Sequence, residues 1–206
     1  ERRHHVAGDA LVGLDDGEAG SPLVSTYHAF AHQFVAEHGL RIGVEPGARL
    51  LSETESLQEA YRVVVNTDYP LTAIGLSPAS LAEVVVKLDQ QLSEHLTTPH
   101  ELREHDQALI ERVGGLPKTV KDDRALAETA AKRIQLSFLV EEYRERKQGE
   151  GAVDFADVLR LGHQLAGRQD VQEIFHSRVR MTLLDEYQDT SVVQAELLAP
   201  LIGPEG

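Results

Sequence analysis

The stretch Met181-Thr182-Leu183-Leu184-Asp185-Glu186-Tyr187-Gln188-Asp189-Thr190 decides the reading of this chain. A short apolar run stops at an Asp-Glu pair. A run this short, bounded by charge, predicts a buried strand of a parallel sheet. In open α/β sheets ligands sit beyond the carboxyl ends of the strands, so Asp185 and Glu186 stand where a nucleotide and its metal are handled. Mg²⁺ keeps most of its waters and takes one or two protein carboxylates, sharing the ion with substrate phosphates. A neighbouring carboxylate then orients or deprotonates the attacking water. On its own, an Asp-Glu pair after an apolar run more often marks a strand that simply ends in solvent.

Outward from this stretch the chain changes texture twice. Residues 1 to 20, rich in Gly and Asp and without an apolar period, read as a disordered or looping lead-in. Leu23-Val24-Ser25 is a minimal strand. A helix follows to about His38, with Phe30, Phe34 and Val35 on one face and Gly39 as its stop. From Ser52 onward helix signals recur. Ser52-x-x-Glu55 is a capping box, followed by Leu57, Ala60, Tyr61 and Val64 at i, i+3, i+4, i+7. Ser77-Pro78 opens a second helix with the stripe Leu81, Val84, Val85, Leu88 and Leu92. Thr98-Pro99-x-Glu101 starts a third that closes at Gly114-Gly115, and a fourth runs from about 123 to 148. The α/β texture returns at Asp154, a plausible N-cap, with Phe155, Val158, Leu159, Gly162 and Leu165 on one face. A short helix around 170 to 177 precedes the 181–184 strand. Ser191-x-x-Gln194 caps the last helix, ended by Pro200 and Gly203-Pro204. There is no internal repeat and no low-complexity tract. The expected fold is mainly α with a small α/β part. Residues 1–45 and 151–206 form one parallel-sheet domain, and residues 46–150 form a helical insertion. The strands at 23–25 and 181–185 should then be neighbours or near-neighbours.

The 206 residues suffice for one good core or two small ones. Zero Cys excludes disulfide staples and thiolate metal sites and suits a reducing cytoplasm, the expected location. No apolar stretch approaches membrane-spanning length, so no membrane partner is expected, and the start Glu1-Arg2-Arg3-His4-His5 is no signal peptide. With 34 acidic against 20 basic residues the net charge is −14, the wrong sign for a stand-alone nucleic-acid module. The densest basic spots, Arg144-Glu145-Arg146-Lys147 and the pair Arg178 and Arg180, read as a solvated helix end and a strand approach.

The string Asp185-Glu186-Tyr187-Gln188-Asp189-Thr190, with Gln194 and Leu197-Leu198 downstream, resembles the Walker B segment of UvrD/Rep/PcrA-type superfamily-one DNA helicases. Ser25-Thr26-Tyr27-His28-Ala29-Phe30 resembles the family's Thr-Phe-His-Ser motif, which faces single-stranded DNA. Val153-Asp154-Phe155-Ala156-Asp157-Val158-Leu159 resembles the Asp-Phe-Asp-Asp-Leu-Leu segment that precedes Walker B, with Ala156 where the family has Asp. The three occur in the family's order. Residues 23 to 44 and 150 to 203 carry the resemblance, the middle only loosely. Leu50-Leu51-Ser52-Glu53-Thr54-Glu55 and Ser93-Glu94-His95-Leu96 have the flavour of the actinobacterial AdnAB helicase–nuclease subunits.

The resemblance implies part of RecA-like domain 1A interrupted by helical subdomain 1B. It also implies an ATP-dependent DNA helicase that moves 3′ to 5′ on single-stranded DNA, with ATP and Mg²⁺ as cofactors. By it, Asp185 holds Mg²⁺ and Glu186 polarises the attacking water. Gln188 and Asp189 couple the nucleotide site to the DNA groove, and Thr26 and His28 contact the strand. The implied partners are single-stranded and duplex DNA, a partner helicase–nuclease subunit and the rest of the helicase chain. Such a motor needs only a local basic lining, so the acidic balance weakens the DNA reading without removing it.

A nucleotide motor also needs a phosphate cradle, G-x-x-x-x-G-K-[ST], at a strand-to-helix turn. Arg112-Val113-Gly114-Gly115-Leu116-Pro117-Lys118-Thr119 is a decoy. Arg112 and Pro117 occupy the Gly positions, Pro lacks an N–H the cradle requires, and the segment follows a helix. In the family the cradle lies upstream of the Thr-Phe-His-Ser motif, and the second RecA-like domain lies beyond the γ-phosphate sensor. The chain is therefore expected to be an excised middle, inactive alone, with the activity residing in the parent. His28 and His32, four apart, lack an acidic third ligand for zinc. Thr26 serves equally as a helix N-cap, and Tyr27 as packing. Asp154 and Asp157 favour a helix macrodipole rather than forming a carboxylate dyad. The rival reading is a non-catalytic helical interaction module that retains a degenerate motor remnant.

Overall fold

The structure, a computed structural model, describes residues 11–15, 23–45, 47–118 and 120–203. In chain order the elements are β1 (Leu11–Asp15), β2 (Leu23–Ser25), α1 (Tyr27–His38), β3 (Arg49–Leu50), α2 (Glu53–Asn66), α3 (Pro78–Glu94), α4 (Pro99–Gly114), α5 (Lys121–Gly149), β4 (Ala152–Val153), α6 (Phe155–Ala166), α7 (Gln169–Arg178), β5 (Val179–Leu184) and α8 (Val192–Ile202), with 3-10 turns at Gly39–Ile42 and Tyr187–Asp189. The fold is mainly α with a small α/β part. Its contacts divide it into two compact units, residues 1–48 with 155–206 and residues 49–154.

In the first unit β1 lies between β2 and β5 and is antiparallel to both, with Val12 opposite Val24 on one side and Leu183 on the other. β2 and β5 therefore run in the same direction, one strand apart, as near-neighbours. Each pairs antiparallel with β1, however, so among the described residues this sheet is antiparallel where a parallel one was expected. β1 itself corrects the expectation of a structureless lead-in at 11–15. Its apolar residues flank Gly13 in a run too short to show a period, and what makes it a strand is the pair of partners on either side. The remainder of that lead-in lies outside the described residues. The expectation of a buried 181–184 strand is also corrected. Met181 and Leu183 are more than half exposed, as is Val24 on β2.

The core of this unit is built by α1, α6 and α8. Tyr27, Phe30, Ala31, Phe34 and Val35 meet Val158, Leu159, Leu161 and Leu165, and Val193, Leu197, Leu198 and Leu201 complete the packing. Each large apolar side chain so buried contributes about 1.5–3 kcal/mol. Gly162 permits the closest approach, since a Cβ there would stand 2.6 Å from Leu197 Cδ1 and 3.4 Å from Ala31 Cβ. Phe155, expected on the buried face of α6, is exposed. α1 ends at His38 with Gly39 as its C-cap, as expected, though the left-handed cap lies further on. Gly39 is right-handed and continues into a 3-10 turn, and Gly43, at φ 77°, supplies the left-handed cap. Pro200 lies within α8, which ends at Gly203.

The second unit opens and closes on a parallel pair, with Arg49 opposite Ala152 and Leu50 opposite Val153. The expected capping box at Ser52 forms, and the Thr98–Glu101 helix start forms another. Ser52 N–H donates to Glu55 at 2.8 Å and Thr98 N–H to Glu101 at 2.7 Å. These backbone donors, joined by the Ser52 and Thr98 hydroxyls, hold the Glu55 and Glu101 carboxyls below the usual carboxylate range. Ala60, Val63, Leu81, Val85, Leu92, Leu139, Val140 and Tyr143 form the core. The α2 stripe is rotated from its expected register: Ser56, Glu59, Ala60 and Val63 face inward while Leu57 and Tyr61 are exposed. Periodicity alone could not choose between the two faces that share Ala60 and Val64. Glu59 decides it, because Arg62 at 2.5 Å and Arg146 at 2.6 Å compensate its buried charge.

The reading of 144–147 as a solvated helix end is likewise overturned. Arg144 Nε donates to Asp89 at 2.6 Å, and Lys147, 1% exposed, donates to Asp89 at 3.1 Å and to Asp154 at 2.5 Å. Tyr143 also donates to Asp154, at 2.9 Å, and burial pushes its phenol far above its ordinary value. Arg133 chelates the fully buried Asp106 through two nitrogens. Arg178, in the first unit, does lie at the surface and pairs with Glu37.

Candidate functional site

β5 ends at Leu184 and delivers Asp185 and Glu186 into solvent. The backbone reverses at once. Glu186 sits at φ 51°, ψ 38°, a left-handed conformation that costs a non-glycine residue about 1–2 kcal/mol. Local hydrogen bonds hold this turn. Glu186 N–H donates to Asp185 Oδ1 at 3.0 Å, Asp189 N–H to the Glu186 carbonyl at 2.9 Å, and Gln188 Nε2 to Glu186 Oε2. Thr190 N–H closes the 3-10 turn on the Tyr187 carbonyl at 3.2 Å. Asp185, Glu186, Gln188 and Asp189 are all exposed, so their carboxylate and amide groups form one polar cluster beyond the carboxyl end of the strand.

The second segment leaves the same edge of the sheet. Leu11 of β1 is opposite Ser25 on one side and Leu184 on the other, so β2 and β5 end at the same level and in the same direction. Thr26 caps α1, its Oγ1 accepting from Ala29 N–H at 3.2 Å, which is the structural role that sequence weighed against DNA contact. His28 is exposed and meets the exposed Phe155 edge-on at 5.9 Å. Among the described residues, His28 and His32 belong to no group of three metal-ligating side chains. Asp154 is a buried partner of Tyr143 and Lys147, and Asp157 bonds to Arg160 at 3.1 Å.

Sequence reasoning assigned Tyr27 to packing, and the ring is indeed buried. Its hydroxyl, however, lies 3.1 Å from Thr190 Oγ1, joining two segments 163 residues apart. The hydroxyl was the only available signal, since it stands where the family motif places a plain phenyl ring. The buried hydroxyls of Ser25 and Ser191, adjoining these segments, have no hydrogen-bond partner among the described residues.

An Asp-Glu turn and a Thr-Tyr-His helix start emerge together from one sheet edge. The chain belongs to the UvrD/REP helicase N-terminal domain family, whose model matches residues 4–206. It is similar to the ATP-dependent DNA helicase UvrD1 of Mycobacterium tuberculosis (strain H37Rv), at 27% identity over 199 residues, covering 95% of this chain and 22% of the relative. A shorter similarity, 38% over 64 residues, is to an ATP-dependent helicase/nuclease subunit of Streptococcus pneumoniae (strain ATCC 700669) and covers 31% of this chain and 5% of that relative. The chain thus spans about a fifth or less of the length of these relatives. No described helix is long and apolar enough to cross a membrane.

Proposed function

We propose that this chain is part of a cytoplasmic ATP-dependent DNA helicase that moves 3′ to 5′ along single-stranded DNA in repair or recombination. The observation that carries the reading is the shared exit of the 26–28 and 185–189 segments from one edge of the sheet. The residues fit ATP and Mg²⁺. Asp185 is an exposed carboxylate at a strand end, suited to an ion that keeps most of its water and shares its shell with phosphate. Bound Mg·ATP would supply the phosphoanhydride and a polarising cation. Glu186 orients the attacking water and accepts its proton, held by the left-handed turn and by Gln188. Gln188 and Asp189 extend this turn toward the DNA side. Thr26 and His28 contact the strand, and residues 49–154 form a 1B-like subdomain near incoming duplex. The phosphate cradle, the second RecA-like domain and any nuclease partner belong to the parent assembly.

A strand-displacement assay on the full-length parent with ATP and Mg²⁺ tests this. A duplex with a 3′ single-stranded tail should be unwound, and one with a 5′ tail left intact. Equal unwinding of both contradicts the direction. Failure on both, with no ATP hydrolysis, returns the chain to the rival reading of a helical interaction module.

A further inference from the structure

The Tyr27–Thr190 contact sits between two sets of exposed polar residues without being either. Tyr27 is 1% exposed, and its chain neighbours Thr26 and His28 are both more open to solvent. Thr190 follows Asp189 directly, and its own N–H closes the 3-10 turn that begins after Glu186. A buried phenol hydroxyl requires a partner, and here the partner is the last residue of the turn that holds Glu186. The ring is buried at the first position of α1, so its hydroxyl ties that turn to the start of the helix. A displacement of the α1 start is therefore passed to Thr190 through one hydrogen bond of 3.1 Å. The turn's other hydrogen bonds among the described residues are local, and Glu186 within it holds a left-handed conformation that side chains disfavour.

Building on the function proposed above, we infer that Tyr27 and Thr190 are positioning residues, and that their hydroxyl pair transmits occupancy of the 26–28 segment by single-stranded DNA to the setting of Glu186. Neither touches a reacting atom. With the bond intact, DNA seated on Thr26 and His28 biases the turn toward the geometry in which Glu186 faces the water. Without it, DNA still binds and ATP still binds, but the two are less tightly linked.

The test uses the full-length parent and oligo-dT as the DNA probe. Tyr27→Phe and Thr190→Val each delete one hydroxyl and keep the packed shape. The readout is the ratio of ATPase turnover at saturating DNA to turnover without DNA. A net hydrogen bond corresponds to roughly a 3- to 10-fold effect, and the ratio should fall by about that much in either variant. KM for ATP should stay near wild type. The double variant should fall no further than the singles, because both remove the same bond, and Thr190→Ser, which keeps a hydroxyl at that position, should hold the wild-type ratio. Melting curves show which variants are folded, and either single suffices. An unchanged ratio in a folded single variant overturns the inference, as do additive losses in the double. Glu186→Gln in the same parent keeps the two claims apart. If it abolishes hydrolysis while Tyr27→Phe keeps a wild-type ratio, only the coupling fails. If it hydrolyses ATP normally, the site reading itself fails.

Discussion

At the scale of single residues, Glu186 combines a carboxylate with a backbone conformation that side chains disfavour. Glycine meets no Cβ penalty there, whereas alanine retains it. Both substitutions remove the carboxylate, so any difference in stability reports the backbone alone. Glu186→Gly should unfold with a free energy about 1 kcal/mol above that of Glu186→Ala, as read from parallel denaturant melts. Equal stabilities would mean that the turn is not left-handed in solution. The Asp185-Glu186 pair was legible in the sequence because its surroundings form a contiguous string. Tyr27 and Thr190 were not, because a bond between hydroxyls 163 residues apart is created only by tertiary packing.

At the scale of elements, legibility follows the range of the interaction. The Ser52–Glu55 and Thr98–Glu101 boxes are four-residue devices whose pattern stands in the sequence itself. The stripe on α2 could not, since Ala60 and Val64 belong to two candidate faces and the choice rests on Arg146 from α5. β1 was missed because five residues around a glycine show no period without their partner strands. The capping boxes also make a pH prediction. Glu55 and Glu101 titrate below their ordinary 4.5 in the folded chain, so on acidification the unfolded chain takes up their protons first. Their stabilisation is full above that value and is lost as pH falls through the lower folded pKa. Glu55→Gln and Glu101→Gln should therefore lower Tm at neutral pH, and the gap from wild type should close at strongly acidic pH. A gap that is constant with pH would show that the charge contributes nothing to these caps.

For the whole molecule, the division into an α/β part and a helical insertion was visible as a change of periodicity near residues 50 and 150. What the chain does with its charge was not. The 144–147 run lies on a 29-residue helix whose inward face sequence does not reveal, and Arg144, Arg146 and Lys147 are spent neutralising Asp89, Glu59 and Asp154. Removing one partner of such a buried pair typically costs about 3–5 kcal/mol, so this basic run is fixed by folding rather than held in reserve for phosphates. The exposed apolar face of β5 escaped notice for a related reason: a strand's composition does not say whether both of its faces are covered.

The assignment of Asp185 and Glu186 to the nucleotide site is the claim on which the rest depends, and single-turnover hydrolysis of prebound Mg·ATP by the full-length parent tests it most directly. Glu186→Gln keeps the shape of the side chain and an oxygen for hydrogen bonding but cannot accept a proton at neutral pH. It should slow the chemical step roughly 10²–10⁴-fold with ATP affinity close to wild type, whereas Asp185→Asn should weaken nucleotide binding in Mg²⁺. A Glu186→Gln enzyme that hydrolyses bound ATP at near-normal speed would contradict the account.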